Sequence, residues 1–404
     1  MTTQPRVHLT GIAHLADQMP SIRSLIDDDS VGFYASQPWL AATEALDEGT
    51  DHGYLLAEDG EGHPVGLMPV ALPDGEVSPG YRPDRLFPYR EEEPYLLCGP
   101  RRGYRTELAV RGSDVTATVA GLLDGAVEFA DDHGREWVYA LHLTTAAARA
   151  LAETERVVPI LSPLADCWLP APGTSMDDYL ASLGGHRRHS IRTDRRRAAR
   201  SDARIERASL ADCLDEVIPL VQQSRARKGV MWTLDSLRRE YEGMARSAAR
   251  QEILLTVRHD GELKGYALWF AWGDLLWGRS LALTDDLRTN AAPVLFELLF
   301  YRPLEICYEL GLRGLHLGAT NYSAKLMRGA RLEPMWQVGL HRGREVFPRE
   351  AVLPWTEHVL GLLREECGRR LPESRLEEFR AEALGFADGR SVGRREQGVH
   401  RGVR

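Results

Sequence analysis

Four hundred and four residues exceed one ordinary domain and fit two with a short tail. Apolar residues at 43% and charged residues at 27% exclude a globally disordered chain, and a net charge of -9 argues against a uniformly basic coat for nucleic acid. Only three of the 50 basic residues are lysines, Lys228, Lys264 and Lys325. Arginine is therefore the default cation, and a retained lysine calls for its own reason, because ammonium and guanidinium are not equivalent.

The five cysteines, Cys98, Cys167, Cys213, Cys307 and Cys367, form no CxxC pair and have no histidine at ligand spacing. A disulfide framework and a metal site are not expected. The first 20 residues lack the basic start and apolar run of about 7–15 residues that mark a signal peptide. No stretch approaches the roughly 18 apolar residues of a membrane span. The expected compartment is the cytoplasm.

In chain order, one grammar occurs twice. Tyr54 to Ala57, the turn Glu58 to Gly62 and Val65 to Leu72 predict a hairpin. Ile253 to Val257, the turn His259 to Glu262 and Tyr266 to Ala271 predict another. Asp-Gly between apolar runs favours such turns, because glycine takes positive φ cheaply. Each half then offers a helix, a glycine and a strand. The first is Val115 to His133, Gly134 and Trp137 to Leu143; the second is Pro293 to Leu310, Gly311 and Leu315 to Leu317. Glu128 and Gly134 stand 177 positions before Glu305 and Gly311. Glycine is the usual left-handed helix stop. The repeat predicts an α/β (α+β) protein of duplicated domains, each with a mixed central sheet flanked by helices.

Prolines 163, 170 and 172 with Gly173 place the boundary near Leu161 to Ser175. The expected division is 1–172, 173–350, a helical segment 351–387 and a disordered tail 388–404. Residues 73–113, rich in Pro, Gly, Arg and Glu, read as an irregular insertion. Residues 284–293 read as a loop after a central strand at 275–283, and Pro303 is expected to kink the helix that follows.

His186 to Arg207 holds nine arginines against Asp194, Asp202 and Glu206. This is a focused positive patch on an acidic body. Guanidinium forks suit phosphate oxygens. Arg187, Arg188, Arg192, Arg195, Arg196 and Arg197 are the candidate RNA contacts; a solvated, salt-bridged helix is the plain alternative. No interleaved aromatics point to stacking on single-stranded bases.

The run FELLFYRPLEICYELGLRGLHLGA (296–319), followed by K-x-x-R-G-x-x-x-x-P from Lys325 to Pro334, resembles the closing half of the Fem-like branch of the GNAT acyltransferase superfamily. Met176 to Leu183 with the arginine run resembles the entry to the second domain of that branch. The resemblance is specific over 175–345 and covers the first half only as a pattern. It implies tandem GNAT-like domains, and an acyltransferase that moves an aminoacyl group from aminoacyl-tRNA to an amine, hydroxylamine or hydroxyl acceptor. The acceptor would be a small molecule or a cell-wall precursor, and no further cofactor is implied. Acetyl-CoA-dependent relatives carry a glycine-rich turn that grips pyrophosphate at a helix N-terminus. Here the turn Arg288 to Pro293 has no glycine, and Pro293 has no N–H. An acyl-CoA-dependent N-acyltransferase and a non-catalytic GNAT-like scaffold that binds RNA or a partner remain open alternatives.

Lys325 matches the lysine of the family element and is the expected charge stabiliser. Glu297 and Asp285 are the expected catalytic carboxylates; Asp286 and His316 are further candidates for a base, and a route without a dedicated base is open. Arg225, Lys228 and Trp232 precede a helix capped by Thr233 or Asp235 and are expected to wall the acceptor. Asn321, Tyr322, Arg328 and Tyr301 complete the expected substrate contacts.

Overall fold

The structure, a computed structural model, describes residues 5–10, 22–23, 25–26, 31–44, 52–73, 79–87, 93–201, 203–227, 229, 232–290 and 292–389. Lys228 and the tail from residue 390 lie outside the described residues. Among the described residues, fourteen strands form one mixed sheet. They are β1 (Arg6–Thr10), β2 (His52–Glu58), β3 (Pro64–Ala71), β4 (Tyr95–Cys98), β5 (Ala109–Val110), β6 (Trp137–Leu143), β7 (Ile160–Pro170), β8 (Arg204–Ala208), β9 (Glu252–His259), β10 (Glu262–Trp272), β11 (Leu275–Leu283), β12 (Gly314–His316), β13 (Arg331–His341) and β14 (Arg344–Glu345).

The main path runs β1-β2-β3-β4-β6-β13-β7-β12-β11-β10-β9-β8, with β5 and β14 off it. The path reads the same way from either end. Four antiparallel strands lead to a parallel pair, β4 with β6 and β11 with β12. An antiparallel neighbour follows, but it comes from the opposite half: β13 lies against β6, and β7 lies against β12. The two exchanged strands pair with each other at the centre. The repeated sequence grammar is therefore a structural duplication with swapped last strands. Both stop glycines are left-handed, Gly134 at φ 65 and Gly311 at φ 69.

Three segments differ in local structure from a reading of the sequence. The supposed insertion contains β4, a sheet strand only four residues long between Pro94 and Gly99-Pro100. The stretch expected to hold the boundary, 161–175, begins inside β7, a central strand. Its Pro163 falls where the β7–β13 register shifts, so no ladder N–H is lost there. The supposed loop at 284–293 contains a short helix, Asp285–Asn290. The helix after it has the expected irregularity in another form. Ala292–Phe296 and Arg302–Leu310 are α-helical, and Glu297–Tyr301 between them is a π turn. Pro303 cannot donate to the ladder, and the widened turn just before it accommodates that.

The second half of the sheet has different layers on its two faces. Leu255, Val257, Ala267, Trp269 and Leu276 join the large core shared with the first half and with the helix at 292–310. Leu254, Tyr266, Leu268, Phe270 and Trp277 alternate with them and pack under helices Leu210–Ala226 and Leu234–Ser247. Phe33, Tyr34 and Trp39 from the N-terminal segment close that second core. Helices Arg349–Cys367 and Glu373–Ala387 pack back on the sheet through Trp355, Phe379 and Phe386. Among the described residues no helix is long and apolar enough to cross a membrane.

Candidate functional site

Each parallel pair parts after a few residues, which leaves a split in each half. The two splits have different fates. In the first half the chain at Thr106 enters the gap and bridges Leu143 in parallel. Thr106 donates its N–H to the His142 carbonyl at 2.7 Å and accepts that of Thr144 at 3.0 Å. Only about 10 Å³ of cavity remains beside it. In the second half Trp277 and His316 form the last pair, and β11 runs on to Leu283 without β12. Among the described residues no main-chain bridge fills this second gap.

A β-bulge marks the same place. Leu268 pairs with Ser280 and Trp269 with Gly278, so Arg279 is the extra residue on β11. A bulge re-aims the backbone and takes a main-chain group out of the ladder. Gly278 beside it leaves little room for a side chain, since a Cβ there would lie 3.1 Å from the His316 carbonyl oxygen and 3.0 Å from the Trp269 ring.

On the face under Leu210–Ala226 and Leu234–Ser247, three guanidinium groups converge on Glu240, which is 1% exposed. Arg225 donates to both carboxylate oxygens at 3.0 Å, Arg279 to one at 2.6 Å and Arg102 to the other at 2.7 Å. Burial alone would raise this carboxyl; Arg225, Arg102 and Arg279 outweigh burial and hold it well below the usual carboxylate range. Arg102 and Arg225 also stack on the Trp232 ring, 3.5 and 4.6 Å from its centroid. The structure thus brings the expected Arg225 and Trp232 together. It adds Arg102, Arg279 and Glu240, which come from separate elements and which sequence spacing did not connect.

The same face holds a buried pair that sequence reading missed as a pair. His316 Nε2 lies 2.7 Å from Asp166 Oδ1, and both residues are fully buried. Arg105 donates to the other oxygen of Asp166 at 2.8 Å and to Glu107 at 2.7 Å. Burial would raise the Asp166 carboxyl, but His316 and Arg105 hold it well below its ordinary range. The available signal was a lone carboxylate in an apolar run, Leu164 to Leu169, that the sheet pairs with β12.

The opposite face carries a cavity of about 700 Å³ between the arginine helix, Gly185–Ala198, and the helix at 292–310. Arg188, Arg192, Arg195 and Arg196 line it with Arg302, over an apolar floor that includes Leu180, Ile205 and Val294. Arg187 and Arg197 are not part of its lining. Glu297 opens the π turn and faces the cavity, 6% exposed. Burial pushes its carboxyl up, and Arg195 opposes that. Arg195 lies 3.3 Å from Glu297 and 2.5 Å from Glu305, so this arginine is already engaged. Asp194 accepts from Arg328 at 2.9 Å and from the Tyr301 hydroxyl at 3.2 Å, tying the arginine helix down. Arg328 also covers the Phe296 ring at 3.5 Å. Glu297, Tyr301 and Arg328 are therefore neighbours of the arginine helix, with Tyr301 and Arg328 in its anchorage.

The remaining expected residues lie elsewhere. Lys325 is 4% exposed and donates to the carbonyls of Leu317, Gly318 and Ala319 at 2.8, 2.8 and 3.0 Å. All three ammonium hydrogens have carbonyl partners, so its charge holds the turn after β12 in place of facing a substrate. That turn needs support, because Thr320 and Asn321 both have positive φ, 66 and 53. Asn321 is exposed at the start of helix Tyr322–Met327. The Tyr322 hydroxyl is buried, donating to the Ala165 carbonyl at 3.2 Å and accepting its N–H at 2.8 Å. This is a tie to β7, and burial withdraws the hydroxyl from a substrate. Asp285 is 59% exposed and pairs with Arg227 at the surface, which takes away the enclosed setting expected of a catalytic carboxylate.

The sequence matches the FemAB-like family, described as peptidoglycan biosynthesis/recognition, over residues 95–369. No curated protein matches it significantly. Among solved structures, FemX superposes with a TM-score of 0.50 at 12% identity, covering 74% of this chain and 90% of that one. A tandem GNAT protein from the clavulanic acid biosynthesis pathway gives 0.50 at 14%, covering 85% and 100%. The C-terminal domain of a putative lysylphosphatidylglycerol synthetase from Agrobacterium fabrum gives 0.50 at 11%, covering 80% and 91%. At these identities the likeness is one of fold: a tandem GNAT architecture.

Proposed function

The chain belongs to the FemAB-like family of GNAT-fold transferases, and on that premise we propose that it moves an aminoacyl group from aminoacyl-tRNA to an amine, hydroxylamine or hydroxyl acceptor. The acceptor is a small molecule or a cell-wall precursor. The observation that carries this reading is the unfilled split between β11 and β12 with the bulge at Arg279. Acyl transfer needs a preorganised donor aimed at the oxyanion that forms on the carbonyl. In this reading a main-chain N–H of the bulged strand at the edge of the gap serves as that donor.

The two charged faces then divide the substrates. The arginine-lined cavity takes phosphates at the acceptor end of the tRNA through Arg188, Arg192 and Arg196. Glu297 sets the direction of Arg195 there. The Arg102–Arg225–Arg279 cluster with Trp232 receives an anionic, partly planar portion of the acceptor. The absence of glycine in 288–293 favours an RNA-borne donor over acyl-CoA. Charged tRNA as donor places the reaction in the cytoplasm.

The test is incubation with charged total tRNA and with acyl-CoAs in parallel, followed by mass spectrometry of acylated amines. Transfer from charged tRNA that ribonuclease abolishes is the expected result. Turnover of acyl-CoA that ribonuclease leaves untouched would overturn the donor assignment. Consumption of neither donor would favour a binding scaffold.

A further inference from the structure

We propose that His316 takes the proton from the attacking amine or hydroxyl, held in the required tautomer by Asp166; this rests on acyl transfer at the β11/β12 split. An ionised carboxylate only accepts hydrogen bonds. Asp166 is ion-paired through Oδ2 with Arg105 at 2.8 Å, and its Oδ1, the oxygen that meets His316, also accepts the Cys167 N–H at 3.0 Å. The hydrogen between His316 and Asp166 therefore sits on Nε2, and Nδ1 carries the lone pair. That is the arrangement of an oriented base: carboxylate, imidazole and a free basic nitrogen on the far side.

The free nitrogen is itself an observation. His316 Nδ1 is buried and has no hydrogen-bond partner among the described residues. Leaving a buried polar atom unpaired costs about 1–3 kcal/mol, so such an atom in a native fold needs a reason. The position supplies one. His316 is the last residue of β12 to pair before the strands part. Its ring packs against Trp168 and Trp277, both 4.6 Å away by centroids and 5.5 Å from each other, with Tyr34 at 5.9 Å. The Tyr34 hydroxyl donates to the Gly278 carbonyl at 3.3 Å, which places it over the start of the bulge. The ring is buried here, and Tyr34 is one of its three aromatic neighbours.

The charged and titratable groups around His316 are Asp166 from β7, Arg105 from the chain after β4 with Glu107 and Glu333 behind it, Tyr34, and Arg279 beyond Tyr34. In the step itself, the acceptor nitrogen or oxygen attacks the ester carbonyl carbon and forms the new bond. Its proton passes to Nδ1. The ester C–O bond then breaks, and the leaving ribose oxygen takes the proton back from the imidazolium. No oxidant or further reactant is consumed.

The decisive variants are His316→Gln, whose amide still donates to Asp166, and Asp166→Asn, each checked by circular dichroism and melting. His316→Gln is expected to lower kcat about 10²–10⁴-fold and to abolish the acid limb of the pH profile. Asp166→Asn should also lower kcat, because an amide no longer fixes the lone pair on Nδ1. Tryptophan fluorescence gives a readout without turnover, since Trp168 and Trp277 pack against the ring. Wild type should show a pH-dependent step that His316→Gln lacks. A folded His316→Gln variant with wild-type rate and pH profile would overturn the proposal. So would the absence of any His316-dependent fluorescence step, since a nitrogen that takes up no proton is no base. If wild type transfers from no donor, the transfer reading fails first, and the fluorescence step alone decides whether Nδ1 takes up a proton.

Discussion

Lys325 shows what a scarce side chain is for. The sequence marked it as one lysine among many arginines and, by resemblance, as a catalytic charge. Its three hydrogens instead converge on three successive carbonyls. A guanidinium is planar and cannot point three donors at one small cup of oxygens. Rarity was therefore informative about geometry and silent about role. Lys325→Ala should cost about 2–4 kcal/mol in denaturant unfolding, because buried carbonyls lose a charged donor and two left-handed residues lose their clamp. Lys325→Arg should recover little of that. A stable Lys325→Ala protein that has lost only its rate would restore the catalytic assignment. Asp166 and His316 lie at the other limit of legibility. Each sits in an apolar strand, and they meet only because β7 crosses into the second half to pair with β12. Nothing local in either segment records that.

Among the elements, the arginine helix shows how a charge run resolves into faces. Its high charge was plain from composition. Which arginines bind and which brace was not, because that depends on the helix it packs against. Ile191 and Ala198 are buried, Asp194 pairs with Arg328, and Arg195 pairs with Glu297 and Glu305. Arg188, Arg192 and Arg196 recur every four residues and line the cavity together. Reversing those three to glutamate should weaken RNA binding and flatten its log-affinity against log-salt slope by about 2, at roughly 0.7 per single-strand phosphate. The fold should survive. Arg195→Glu should do the opposite: it lowers the melting temperature, because two carboxylates are left facing a third, and it changes the salt slope less. Anisotropy titrations at several salt concentrations, with melting curves beside them, separate the two effects. An unchanged slope in the triple variant would remove RNA from this face.

Across the whole molecule, the sequence displayed the repeat but not the exchange. Hairpin, helix, stop glycine and strand are local patterns, and all were readable in both halves. The order in which strands meet is non-local. The two strands that carry the exchange were also poor sequence signals: β7 holds Pro163 and ends at Pro170, and β13 holds Pro334 where its register shifts. Proline normally demotes a strand to an edge, yet these two lie at the centre of the sheet. The exchange makes each half incomplete. Residues 1–172 without β13 would expose the inner edge of β6, and 173–404 without β7 would expose that of β12. Each would also lose buried packing, Trp336 and Leu340 from one and Leu161 and Leu169 from the other. Open hydrophobic edges of this kind pair with other chains. Expressed apart, both pieces should aggregate or melt without a cooperative transition. Expressed together, they should form a one-to-one complex whose melting approaches that of the intact chain, because only the complex restores β6-β13-β7-β12. Cooperative melting of either piece alone, at a temperature near that of the intact chain, would show that the swapped strands are not what holds the halves together.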